Sequence, residues 1–173
     1  MELKFQVQTK IQKPIAEVFD AVYNPKKLSG YFTTGGASAP LDEGTTVEWT
    51  FADTPGAEIG PLPVEVKEVK KNELIAFAWK ASSGDYNTRV EMKFEETGPA
   101  ETLVKISESG WKEDEEGLRD SYGNCMGWSH MVSALKAFTE YGINLREGAY
   151  RDLYKPEDFE SKSTNKKTAA EGA

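Results

Sequence analysis

Few side chains in this sequence have both the type and the spacing for chemistry, and Glu108 comes first among them. Val104 and Ile106 alternate with Leu103 and Lys105, and Glu108 continues the inward phase of that run. A carboxylate carried into an apolar interior serves either as an acid or as an acceptor for a ligand. Two plainer alternatives stand beside this: the alternation lapses at the strand end, or Glu108 pairs with a nearby Arg or Lys. Paired with Ser121 or Tyr122, Glu108 would have the makings of a proton-moving site of the cyclase or dehydratase kind.

The remaining inventory is thin. His130 is the only histidine, and on a helix it stands about 200° round from Trp128, on the opposite side. One histidine and one cysteine supply neither a histidine-rich metal site nor a Cys–His pair, so no metal, cofactor or catalytic residue is assigned. Nucleophile elbows and phosphate-cradling loops are absent from the sequence. Cys125 reads as a small buried hydrophobe that, on an inward face, would also touch a ligand.

The elements that must position these residues follow from periodicity. Leu3, Phe5 and Val7 alternate with polar neighbours as an opening strand. Ile15, Val18, Phe19 and Val22 then give the i, i+3, i+4, i+7 stripe of a helix entered at Pro14. Asn24-Pro25 ends it and caps a second short helix bearing Leu28, Tyr31 and Phe32. Residues 33–44, with Gly35-Gly36 and Asp42-Glu43-Gly44, have loop chemistry and the length of a mobile cover. A meander follows: Val47, Trp49 and Phe51; Val64 and Val66 after the Pro55-Gly56 and Gly60-Pro61 breaks; Ile75, Phe77 and Trp79; Val90, Met92 and Phe94; Val104 and Ile106. The last element is a helix over about 115–141, stopped by Gly142. Beyond it, Leu145, Tyr150, Leu153, Tyr154 and Phe159 are positioned to dock, and from Ser161 the composition is that of a disordered tail.

Composition narrows the function classes. A chain of 173 residues with 38% hydrophobic residues fits one domain, over 1–145, with an extension over 146–173 that is partly docked. A formal charge of −8 argues against nucleic acid and against an anionic membrane surface. No apolar run approaches the ~20 residues needed for a bilayer span, and the alternating N-terminus does not read as a signal peptide. A lone cysteine excludes an intramolecular disulfide framework and suits a reducing cytoplasm.

Three segments carry a family resemblance: Lys13-Pro14-Ile15-Ala16-Glu17-Val18-Phe19; Ile106-Ser107-Glu108-Ser109-Gly110-Trp111; and Gly127-Trp128 followed by Ala134-Leu135-Lys136-Ala137-Phe138 and Tyr141-Gly142. In this order they resemble the START-like (SRPBCC) superfamily, and within it the homologues of the activator of heat-shock protein 90 ATPase. The resemblance implies an α+β helix-grip fold, a curved antiparallel sheet wrapped around the C-terminal helix with an apolar cavity between them. It fixes no single activity, since relatives include lipid carriers, hormone receptors, aromatases and cochaperones.

The helix face says where space would lie. Met131, Val132, Leu135 and Phe138 fall on the side of Trp128, and the same stripe runs back through Cys125, Asn124, Ser121 and Gly117. Its second half is bulky and apolar, its first half small and mildly polar. Small residues facing an aromatic sheet leave volume for a ligand, unless the glycine-rich first turns overhang solvent or fray. The expected site is a closed cavity of a few hundred Å³. Its lining would be Phe32, Trp49, Phe51, Phe77, Trp79, Val90, Met92, Phe94, Ile106, Glu108, Ser121, Asn124, Cys125 and Trp128, with the Gly35-Gly36 loop and the Leu28–Phe32 segment as lid. A small apolar or aromatic ligand is the first expectation for a partner. A cochaperone-like protein partner, with the cavity filled by the protein's own side chains, is the alternative. The sequence leaves the oligomeric state open.

Overall fold

The computed structural model describes residues 1–153 except 54, 55 and 57. The expected Tyr154 and Phe159 docking and the tail from Ser161 lie outside the described residues. β1 (Lys4–Ile11) leads into α1 (Ile15–Tyr23) and α2 (Pro25–Leu28). Then come β2 (Gly36–Ala37), β3 (Thr46–Phe51), β4 (Ile59–Lys70), β5 (Leu74–Lys80), β6 (Asn87–Gly98), β7 (Glu101–Ser109) and α3 (Glu115–Tyr141). The strands form one antiparallel sheet in the order β1-β7-β6-β5-β4-β3-β2. Every neighbour except the β1–β7 pair is consecutive in the chain, so the meander closes when β1 adds to its last strand.

The sheet curves around α3. One face alternates into the core through Val64, Val66, Ile75, Phe77, Val90, Met92, Phe94, Val104 and Ile106, all buried. The opposite face carries charge pairs such as Arg89–Glu91 and Lys105–Glu95. Near its C-terminus α3 is tied to β1, where Lys136 Nζ donates to the Lys10 carbonyl at 2.8 Å and Glu140 Oε1 accepts from Gln12 N at 2.6 Å. No described helix is long and apolar enough to cross a membrane.

Three local expectations are corrected. Pro14 lies one residue outside α1, at the N-cap, where its carbonyl accepts from Glu17 N and Val18 N. α2 stops at Leu28, and Tyr31 and Phe32 reach the core from the turn that follows it. The stretch around Gly35-Gly36 is an edge strand rather than a loose cover: Gly36 and Ala37 pair with Thr50 and Trp49, and Leu41 beyond them is fully buried. Backbone pairing of two small residues leaves no side-chain alternation to read, which is why the sequence shows a loop there.

The first turns of α3 are docked and do not fray. Asp114 caps the helix by accepting from Gly117 N at 2.7 Å, and Asp120 Oδ2 accepts from Ser83 N at 2.9 Å and from the Ser83 hydroxyl. A Cβ at Gly117 would lie 2.1 Å from the Lys112 carbonyl, so this glycine permits a close approach.

Candidate functional site: a buried carboxylate in an aromatic cluster

Register brings the site together. Trp79 on β5 pairs with Thr88 on β6, and Val90, two residues on and on the same face, pairs with Glu108 on β7. Trp79, Thr88 and Glu108 therefore point inward from three adjacent strands. Asn124 and Trp128, one turn apart on α3, face them.

Glu108 is fully buried. Its Oε1 accepts from Trp79 Nε1 at 2.9 Å, Thr88 Oγ1 at 2.6 Å and Asn124 Nδ2 at 3.1 Å. Its Oε2 accepts from Trp128 Nε1 at 2.9 Å and Asn124 Nδ2 at 3.1 Å. These donors are neutral, and none of the ion pairs of the described residues includes Glu108. The pairing with a nearby Arg or Lys, entertained from the sequence, is thus replaced by four uncharged side chains. An acceptor-only carboxylate matches such a ring of donors, two of which, the indoles, can only donate.

Around this centre the rings pack in contact. Trp128 meets Trp79 at 5.4 Å, Phe32 at 5.5 Å and Phe77 at 6.2 Å between centroids. Trp49 meets Phe77 at 5.2 Å, Phe32 at 5.6 Å and Trp79 at 6.0 Å, and Phe51 leans on Phe32 at 5.1 Å. Two surface hollows, of about 500 and 710 Å³, open beside β1 and Arg89, where Glu108 is part of the lining, and between α1 and Val69. Between sheet and helix the aromatic residues expected to line the cavity meet one another edge-on or tilted.

Other expected lining residues divide. Val90, Met92 and Ile106 are buried in the same core. Phe94 stands at its other end, where it meets the edge of Phe19 at 5.2 Å. Ser121 is buried but gives its hydroxyl to the Leu118 carbonyl at 2.7 Å, and Tyr122 is 68% exposed. Neither hydrogen-bonds Glu108, so the proton-moving pair is not assembled. Cys125 is half-buried rather than buried, and His130 lies on the outer side as expected. Among the described residues no group of His, Cys, Asp and Glu is placed to hold a metal.

Sequence reasoning missed Thr88, Arg146, Asp53 and the state of Trp49. Thr88 shares the inward phase of Val90 and was within reach of alternation. Arg146 and Asp53 are 93 positions apart and carry no local signal; they form an ion pair at 2.7 Å against the Phe32 and Phe51 rings. Trp49 is fully buried, and its indole N–H has no hydrogen-bond partner.

The family model described as activator of Hsp90 ATPase homolog 1-like protein matches residues 12–140. The protein SSP2350 from Staphylococcus saprophyticus is 26% identical; the match covers 83% of this chain and 96% of that one, with a TM-score of 0.68. The Aha1 dimer from Colwellia psychrerythraea shares the fold at 17% identity, over 81% of this chain and 98% of that one, with a TM-score of 0.66. DynU16, a protein of the dynemicin biosynthetic locus, shares it at 23% identity and a TM-score of 0.67, over 80% of this chain and 48% of that one. No curated protein matches.

Proposed function

The chain belongs to the activator of Hsp90 ATPase homolog 1-like family, and from that footing we propose that it binds a small apolar or aromatic molecule between the sheet and α3, at the rings around Glu108. The observation that carries this reading is the buried carboxylate surrounded by neutral donors. A well-packed apolar residue in place of a buried charge is often as stable or more so, which makes this arrangement expensive for folding alone. Its use is to receive the polar end of a ligand. Trp79 and Asn124 are the two half-buried donors, and a ligand would reach Glu108 by displacing their hydrogen bonds to it. Trp49 adds an unused buried donor for a ligand acceptor. The rings offer stacking faces once they part.

Native mass spectrometry of the protein purified from its own host tests this, with the denatured mass as reference. Extra mass that is lost on denaturation is the expected result. An unliganded mass, together with unchanged tryptophan fluorescence across a panel of apolar aromatic compounds, would overturn the reading.

One observation favours a second reading, a cochaperone-like interaction module. Tyr122 and Met126, one turn apart on the outer face of α3, are 68% and 52% exposed. Stimulation of the host Hsp90 ATPase that is lost in Tyr122→Ala and Met126→Ala would establish it; an unchanged rate would remove it.

A further inference from the structure

Resting on that binding reading and extending it to access, we propose that residues 142–153 form a strap that closes the Phe32–Phe51 edge of the ring cluster and is latched by Arg146 to Asp53. Gly142, at φ 69°, ends α3 and turns the chain back, with its N–H on the Phe138 carbonyl and that of Ile143 on the Ala137 carbonyl. Asn144 Oδ1 then accepts from Arg146 N at 3.0 Å and aims the arginine inward.

The guanidinium of Arg146 lies over three rings, Tyr150 at 4.8 Å, Phe51 at 5.3 Å and Phe32 at 5.5 Å. Its Nε donates to Asp53 Oδ2 at 2.8 Å, and Nη2 forms an ion pair with the same oxygen at 2.7 Å. Asp53 is itself held, since Thr34 Oγ1 donates to Oδ1 at 3.0 Å and accepts from Ala52 N at 2.9 Å. The pair is largely buried, at 14% and 8% side-chain exposure.

The rest of the strap is lightly attached. Ile143, Leu145 and Leu153 are at least half exposed, so apolar burial contributes little to holding it down. Tyr150 adds a 3.0 Å hydrogen bond to His130 on the outer side of α3. Phe32 touches Trp49, Phe51 and Trp128, so lifting Arg146 bares an edge that leads directly into the cluster. A segment whose buried ion pair among the described residues is Arg146–Asp53, set over an aromatic edge, has the make-up of a gate.

The test compares the full-length wild type with Arg146→Gln and with Arg151→Gln, which makes the same charge change at an exposed strap position. Two quantities are read: hydrogen exchange of residues 142–153, and the entry rate of the neutral fluorescent probe N-phenyl-1-naphthylamine. Arg146→Gln is expected to raise both by roughly tenfold or more, as loss of a buried partner implies, while Arg151→Gln leaves both near wild type. Unchanged strap exchange in Arg146→Gln would overturn the latch. A loosened strap with an unchanged entry rate and normal probe affinity would overturn the gate alone. A probe that binds none of the proteins would count against the binding reading itself and remove the gate with it.

Discussion

Trp128 and Trp49 present the same indole to the same cluster, yet losing each should cost differently. The Trp128 N–H is bonded to Glu108, whereas the Trp49 N–H is buried without a partner. Trp→Phe removes similar volume at both positions. At 128 it also strips a donor from a buried carboxylate, and at 49 it removes an unpaired one. Trp128→Phe is therefore expected to be more destabilising than Trp49→Phe by about 1–3 kcal/mol in chemical denaturation. Equal losses would mean that the hydrogen bond to Glu108 is not what fixes Trp128. Glu108→Gln sets an amide N–H2 against neighbours that mainly donate, and should lower stability by about 1–3 kcal/mol at constant shape.

At the scale of elements, α3 invites a comparison within one helix. Nothing lies within 4 Å of a Cβ built at Gly123 or Gly127, so each Gly→Ala change should stabilise by about 0.5–1 kcal/mol through helix propensity. Gly117→Ala meets the Lys112 carbonyl and should destabilise, shifting the docked first turn. Thermal melts of the three variants check both signs. At the other end of the sheet, Lys10, Gln12 and Thr97 all hydrogen-bond Glu101 and hold its carboxyl down to about 2. A lowered folded pKa contributes stability above the ordinary carboxylate value near 4.5, and that contribution is lost as pH falls toward about 2. Glu101→Gln should therefore flatten the acid decline of Tm across that window; an unchanged slope would remove Glu101 from the acid transition. The C-terminal end of α3 was legible in advance because Gly142 marks it in sequence. β2 was illegible because two backbone-paired residues leave no pattern.

For the whole molecule, the split between what sequence showed and what it hid has a physical origin. Periodicity gives the direction of a side chain, and so Glu108, Asn124, Trp128 and the strand aromatics were identified as inward-facing. It does not give reach. Whether Trp79 and Trp128 line a space or fill it depends on how far two indoles extend toward one carboxylate from opposite layers. It gives still less about Arg146 and Asp53, whose meeting depends on the closed fold and not on any local pattern. The cluster and the strap meet at the Phe32 and Phe51 rings, and the protein's four tryptophans offer separate reporters. Trp49, Trp79 and Trp128 belong to the cluster, while Trp111 is buried outside the core cluster. The most direct test is to follow the four indole N–H resonances of the ¹⁵N-labelled protein while N-phenyl-1-naphthylamine is added. Binding at the proposed site predicts that the signals of Trp49, Trp79 and Trp128 shift together and that of Trp111 stays. Four unmoved signals, or a shift led by Trp111, would contradict it.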